Sequence, residues 1–405
     1  MSGGADSVAL MRLVADWRTR NRPELPVACF TVDHRLRPGS GAEADKVAAW
    51  AREAGLDHRT LDWRGRKPRA DIQAAAREAR YRLLAEACAA GGLSHLVLAH
   101  HLDDQAETLL LRLARGSGVD GLAAMPEHAD WPGLRIVRPF LDVPKSRLVA
   151  TLDALGQPWI EDPSNADPRF ARARLRALMP ALAAEGMTAD RLAETARRMR
   201  RARAALEAAA ADLHRAAVTE DRAGFCRVDA AVLAGAPEDI GLRVLARVLM
   251  GVGGSDYPPR LERLERLYGA LTGDGVSGAT LSGCRIVPAG GGAMICRERG
   301  RAGLPAEGLA GSPVLWDRRF RIEARKTAGR GLTVRALGAD GVAEVRKMSR
   351  LRAIPAAAAR VAPGVFADER LVAAPLVEAA PGPYSPPEFA FDFVGAARFA
   401  TGGGT

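Results

Sequence analysis

The chain opens on Ser2-Gly3-Gly4-Ala5-Asp6-Ser7, directly ahead of an apolar-periodic stretch. At the mouth of a helix, successive backbone N–H groups and the positive end of the dipole converge on one point, where an anion is favoured. Glycines let the backbone approach such a group, and the hydroxyls of Ser2 and Ser7 add donors. No Gly-Lys-Ser/Thr ending accompanies the loop, which excludes a Walker A motif. Its plainer reading is a serine-capped terminus. A second cluster, Ala99-His100-His101-Leu102-Asp103-Asp104-Gln105-Ala106-Glu107-Thr108, sets two imidazoles beside two carboxylates, with a third one helical turn on. That set suits Mg²⁺ or a cationic amine beside a phosphate. It also suits a helix cap with packed histidines. Asp33 ends an apolar run, and Glu78 and Arg82 stand at i,i+4 spacing, where an ordinary ion pair would form.

Elements must bring these residues together. Residues 27–33 and 95–99 are short β-branched or apolar runs with the pattern of buried strands. Around them Val8, Met11, Val14 and Trp17, and again Ile72, Ala75, Ala79, Leu83 and Ala87, recur at helical spacing. Alternating strands and helices predict a parallel, doubly wound α/β sheet, which places Asp33 and the two histidines beyond the carboxyl ends of its strands. The alternation stops near 158–168. Residues 175–218 are alanine-rich and helical, followed by helices over 239–249 and 260–272 and a β-like piece over 280–297. After a second break at 300–312 come short strand-like runs at 320–324, 332–336 and 371–377. The expected organisation is an α/β domain over 1–165, a mainly helical domain over 166–305, and a small α+β domain over 306–405 with a disordered glycine tail.

Composition narrows the partners. The net charge of +10 and pI near 9.9 favour a polyanion, although arginine-rich, alanine-rich chains arise for other reasons. Between Arg169 and Arg203 ten arginines face three acids, and Arg197, Arg198, Arg200, Arg201 and Arg203 occupy successive faces of one helix, too evenly charged to be buried. They form either a solvated face or an RNA contact. A second basic stretch runs from Arg318 to Arg352. No run approaches the ~20 apolar residues of a membrane span and no signal pattern opens the chain, so a cytoplasmic protein without a membrane partner is expected. Five scattered cysteines with no C-x-x-C pair argue against a disulfide framework or a thiolate zinc site.

The opening loop resembles the S-G-G-x-D-S fingerprint of the PP-loop ATP pyrophosphatases. In order after it come Asp33-His34-Arg35-Leu36-Arg37, Glu78-Ala79-Arg80-Tyr81-Arg82, the His100-His101 cluster, Arg115-Gly116-Ser117-Gly118-Val119-Asp120-Gly121-Leu122, Arg138-Pro139-Phe140-Leu141 and Glu161-Asp162-Pro163-Ser164-Asn165. This series resembles the tRNA(Ile)-lysidine synthetase branch, strongly over the first ~180 residues and weakly beyond. One departure is Ala173, where the family shows Asn.

The resemblance implies a ligase that adenylates C2 of the wobble cytidine in an isoleucine tRNA with a CAU anticodon, using ATP and Mg²⁺. Free L-lysine then displaces AMP. It implies phosphate contacts from Ser2, Gly3, Gly4, Ala5, Asp6 and Ser7, with Arg112 and Gly116 near the adenylate. Asp33 and Asp104 are the candidate catalytic carboxylates, with Asp104 also a metal ligand. His101, Asp103, Glu107, Arg172, Arg176, Arg197 and Arg201 are candidate substrate contacts. A homodimer is open to test. A PP-loop ordinarily follows a buried apolar strand, and Met1 here precedes Ser2 directly, so the expectation is an upstream start. Two other readings compete: a PP-loop tRNA thiolation enzyme, which needs a reactive exposed thiol, and a noncatalytic RNA-binding protein with a relict loop.

Overall fold

The computed structural model describes residues 1–35, 39–65, 72–131, 133–161, 167–273, 275–309, 313–324, 331–348, 354–376 and 389–395. Two compact units share the chain, Met1–Ala204 and the remainder from Ala205, and the division falls within a helix.

The first unit runs α1 (Ala5–Asn21), β1 (Ala28–Asp33), α2 (Ser40–Glu53), β2 (Asp57–Asp62), α3 (Ile72–Ala90), β3 (His95–Val97), α4 (Leu102–Leu113), α5 (Val119–Leu122), β4 (His128–Trp131), β5 (Leu134–Val137), α6 (Lys145–Ala154), α7 (Ala171–Ala184) and α8 (Ala189–Ala217). Strand β1 pairs with β2 and β3 with β5, both in parallel. The expected single parallel sheet is instead two ladders among the described residues, and β4 runs antiparallel to β5. Only an antiparallel partner can be reached across the two residues separating β4 from β5. Side chains join the ladders: Phe30, Leu96, Leu134 and Ile136 share one cluster with Tyr81, Leu84 and Cys88 of α3.

Two helix faces differ from the periodicity. On α1 the buried stripe is Ala5, Val8, Met11 and Ala15, while Trp17 is exposed. The small Ala15 admits the close approach of α6, whose Leu148 and Leu152 lie in the same cluster. On α3 the face turns after Ala79 to Tyr81, Leu84 and Cys88, because Tyr81 stacks on Trp131 with ring centroids 5.1 Å apart. The single helical stretch expected over 175–218 is two helices, broken at Gly186 with φ +83°.

In the second unit, β6 (Val218–Asp221), β7 (Phe225–Asp229), α9 (Ala230–Ala234), α10 (Glu238–Gly253), α11 (Leu261–Thr272), β8 (Ala279–Leu281), β9 (Cys284–Ala289) and β10 (Gly292–Arg297) come first. An antiparallel sheet ordered β6-β7-β10-β9-β8 shares a core with α10 and α11, so strands are more prominent here than the sequence suggests. Then follow β11 (Glu307–Gly308), β12 (Val314–Trp316), β13 (Phe320–Ala324), β14 (Leu332–Ala336), α12 (Gly338–Met348), α13 (Ala356–Ala359), β15 (Pro363–Ala367), β16 (Arg370–Ala373) and β17 (Phe389–Phe393), an α+β part with sheets β11-β14-β15-β16 and β12-β13-β17. Within its basic stretch Arg319 is fully buried between Asp317 and the Val361 carbonyl, which removes it from any surface. Arg325, Lys326, Arg330, Arg350 and Arg352, like Leu36, Arg37, residues 162–165 and the glycine tail, lie outside the described residues.

Candidate active site

The Ser2–Ser7 loop is fixed from both sides. Gly3 takes φ +83°, a left-handed conformation natural to glycine, and its carbonyl accepts the Ile160 N–H at 2.9 Å. A Cβ on Gly3 would come 2.8 Å from Ile160 Cδ1 and 3.1 Å from Val47 Cγ2. Gly4 caps α1 without a side-chain bond, so the first-turn amides stay directed at the loop. The Ser7 hydroxyl accepts the Ser2 N–H at 3.2 Å and donates to the Gly4 carbonyl at 3.0 Å, closing the loop around that spot.

Asp6 points from this loop to α4. His101, 1% exposed, sits at the α4 N-cap, with Nε2 3.5 Å from both Asp6 Oδ2 and Asp104 Oδ2 and Nδ1 3.4 Å from Asp103 Oδ2. Burial alone would lower the His101 pKa, but three carboxylates outweigh it and raise it to about 9. The ring is therefore an imidazolium at neutral pH. Burial likewise pushes the Asp6 carboxyl up, and His101, Lys145 and Arg176 together bring it below its usual value. Next door, burial drives His100 down to about 4, opposed by Asp104 and reinforced by Arg138, Arg172 and Arg77. Adjacent imidazoles are thus held in opposite charge states.

The chain of charges continues outward. Asp104 accepts the His101 backbone N–H at 3.2 Å and lies 3.7 Å from Arg176 Nη2. Arg176 Nε meets Glu107 Oε1 at 2.5 Å and Nη2 meets Oε2 at 3.2 Å. Burial raises the Glu107 pKa, an effect that Arg176 partly offsets. Lys145, which the sequence reading did not single out, donates its backbone N–H to Asp103 at 2.9 Å and brings Nζ to 3.9 Å from Asp6. Its signal was the Pro144-Lys145 helix start, with proline as N-cap.

A family model described as a PP-loop domain matches residues 1–182. The tRNA(Ile)-lysidine synthase of Methylobacterium nodulans is 50% identical over 305 residues, covering 74% of this chain and 89% of the relative. That of Rhodopseudomonas palustris is 49% identical over 274 residues, covering 67% and 79%. That of Ruegeria pomeroyi is 39% identical over 393 residues, covering 94% of this chain and 88% of the relative. This chain belongs to the tRNA(Ile)-lysidine synthase family.

As a member of the tRNA(Ile)-lysidine synthase family, the chain holds its other candidate residues in more than one place. Asp33 is buried, and its contacts are local: its Oδ1 accepts the Arg35 N–H at 2.8 Å, and Oδ2 is 4.0 Å from Arg35 Nε. Arg112 braces the turn after α4 through the Gly121 and Ala124 carbonyls at 3.0 and 3.1 Å, and Gly116 makes that turn with φ +71°. Arg172 is exposed on α7 yet close enough to act on His100 and Glu107. Arg82 pairs with Glu86 at 3.3 Å in place of the expected Glu78. One face of α8 is buried after all: Leu192, Ala193 and Ala196 are 8%, 2% and 0% exposed, because alanines let the helix approach α4 while its arginines reach past. Arg197 pairs with Glu194 at 2.7 Å, and Arg201 is exposed.

Two tests bear on cofactor and nucleophile. Among the described residues no group of three His, Cys, Asp or Glu side chains forms a metal cage. Asp6 Oδ1 is buried without a partner, however, and Asp104 lies across His101 from it. One or two carboxylates beside a phosphate loop fit Mg²⁺ carried by a triphosphate, which keeps water and phosphate ligands. All five cysteines are free and buried, and burial raises every thiol pKa, that of Cys284 to about 12. None resembles the accessible, low-pKa thiol that sulfur transfer requires.

Proposed function

We propose that this chain forms lysidine: ATP adenylates the C2 carbonyl oxygen of the wobble cytidine in an isoleucine tRNA with a CAU anticodon, releasing pyrophosphate. The ε-amine of free L-lysine then attacks C2 and AMP leaves. The observation that carries this reading is the contact of the phosphate-loop Asp6 with the His101 cluster at 3.5 Å, which sets anion donors and carboxylates in one site. In this reading Ser2, Gly3, Gly4, Ala5, Asp6 and Ser7 hold the triphosphate through amides and hydroxyls, and the Lys145 ammonium adds positive charge beside Asp6. Mg²⁺, held through Asp104 and Asp6, would offset the triphosphate charge. Arg112 and Gly116 shape the adenylate pocket.

Lysine's ammonium, with a pKa of about 10.4, must lose a proton to become a nucleophile. Asp33 and Asp104 are assigned to orienting it and taking that proton, with His101, Asp103 and Glu107 lining its path. Arg172, Arg176, Arg197 and Arg201 are assigned to the RNA, where guanidinium forks suit phosphates and stack on bases. The division at 165 and 305 into catalytic, helical and C-terminal parts, a cytoplasmic setting and a homodimer belong to the same proposal. Incubation with ATP, Mg²⁺, labelled lysine and the unmodified tRNA tests it. Incorporation that disappears in Asp104→Ala and Asp33→Ala supports the reading; tight RNA binding without lysine-dependent pyrophosphate release sinks it.

A further inference from the structure

We infer that α8 carries a positioning pair, Arg200 and Arg203, that clamps the connection between α4 and β4 and ties its geometry to RNA held on the outward-facing arginines of the same helix. The inference rests on the function proposed above. At 3.6 residues per turn, Arg200 and Arg203 share the side of Leu192, Ala193 and Ala196, and Arg197 lies at its margin. Arg198 and Arg201 face away from it and are exposed.

The two inward arginines grip different points of the connection between α4 and β4. Arg200 Nη1 donates to the Met125 carbonyl at 2.8 Å. The same carbonyl takes Gln105 Nε2 at 2.8 Å, while Gln105 Oε1 accepts the Met125 N–H at 2.9 Å. Gln105 is 1% exposed and is the neighbour of Asp104 on α4. Arg203 Nε lies 3.4 Å from Asp120 Oδ1, on the short helix that Arg112 also braces. Arg197 Nε lies 3.4 Å from Asp142 Oδ1, three residues before Lys145, which holds Asp6 and Asp103. The Met125 loop also contains Ala124 at φ +51°, a left-handed conformation that a non-glycine residue keeps only when its surroundings enforce it.

A two-turn helical segment is stiff, so a restraint on Arg198 and Arg201 is felt by the residues on its other side. Phosphates docked on the outward stripe would therefore steady the connection between α4 and β4. The site would then be best ordered when RNA is present.

The test uses the full chain with the unmodified tRNA. If the wild type incorporates no lysine, the proposed function fails before the stripe is in question. With an active wild type, Arg200→Gln is expected to lower kcat about tenfold or more while RNA affinity stays within about twofold, the split of a positioning residue. Arg200→Lys, which keeps a donor for the Met125 carbonyl, should recover much of that loss. RNA should slow backbone hydrogen exchange over residues 120–127 in the wild type but not in Arg200→Gln. Should Arg200→Gln fail to fold, Asp120→Ala removes the 54% exposed carboxylate that Arg203 faces and is read in the same way. An unchanged kcat in these variants, a loss that only tracks the folded fraction, or exchange indifferent to RNA overturns the inference.

Discussion

His101 Nε2 lies 3.5 Å from Asp6 Oδ2, joining the first turn of one helix to the N-cap of another. Because the ring is cationic and also faces Asp103 and Asp104, it keeps three carboxylates close beside a loop suited to phosphate. Without it those carboxylates would repel one another and the incoming triphosphate alike. His101→Ala is expected to lower kcat/KM for ATP by roughly 10²-fold, the scale of losing one preorganised electrostatic partner. Steady-state pyrophosphate release against ATP concentration checks this, and a change under threefold would contradict it.

The two histidines give the ligand-free protein a pH optimum. His101 titrates near 9 when folded and about 6.5 when unfolded, so its contribution is complete below about 6.5 and is lost as pH rises through 9. The shift corresponds to about 3 kcal/mol. His100 acts oppositely: with a folded pKa of about 4, its neutral form is what the fold holds, and stability is lost as pH falls from 6.5 through 4. Their sum is greatest near pH 6.5. Denaturant melts from pH 5 to 9.5 should show the alkaline decline in the wild type and a much flatter limb in His101→Gln.

Much of this site was legible before any geometry. Ser2–Ser7 and the His100–Glu107 run announce themselves because phosphate and carboxylate chemistry need particular residues at short spacing. Lys145 and Ile160 did not, since their roles come from a distant loop returning to Gly3 and Asp103, and nothing local marks that return. The α8 arginines were legible as charge but not as direction. Alanine at 193 and 196 turns one face inward, and that is decided by packing against α4. The α3 face moved for the same reason, once Tyr81 found Trp131.

Gly3→Ala separates backbone strain from chemistry. Its φ of +83° costs an L-residue about 1–2 kcal/mol, and the new methyl would press on Ile160 Cδ1 at 2.8 Å. The isoleucine tip can give way; the backbone cannot. Thermal melting should fall by several degrees, and KM for ATP should rise as the loop's amides turn from the phosphates. An unchanged melt would show that the loop does not need this conformation.

Arg176→Met leaves Glu107, 2% exposed, without its guanidinium. Removing one partner of such a pair is costly, but Arg176 is 38% exposed, so the loss is expected at about 3 kcal/mol or below. Adding Glu107→Gln should return part of it, since a neutral amide tolerates burial better than an unpaired carboxylate. Equal stability of the single and double variants would argue that the pair is solvated in practice.

Thiol chemistry can be tested without any mutation. Every cysteine is buried, from Cys29 at 8% to Cys284 and Cys296 at 0%, and burial holds each in the unreactive thiol form. Iodoacetamide added to the native protein should attach to none of the five over a time that fully labels the unfolded chain, as counted by intact mass. Lysine incorporation should be undiminished. Sulfur transfer would need at least one cysteine to come into solvent during turnover. Labelling should therefore also be run with ATP and tRNA present, and a single adduct that abolishes activity under those conditions would reopen the thiolation reading.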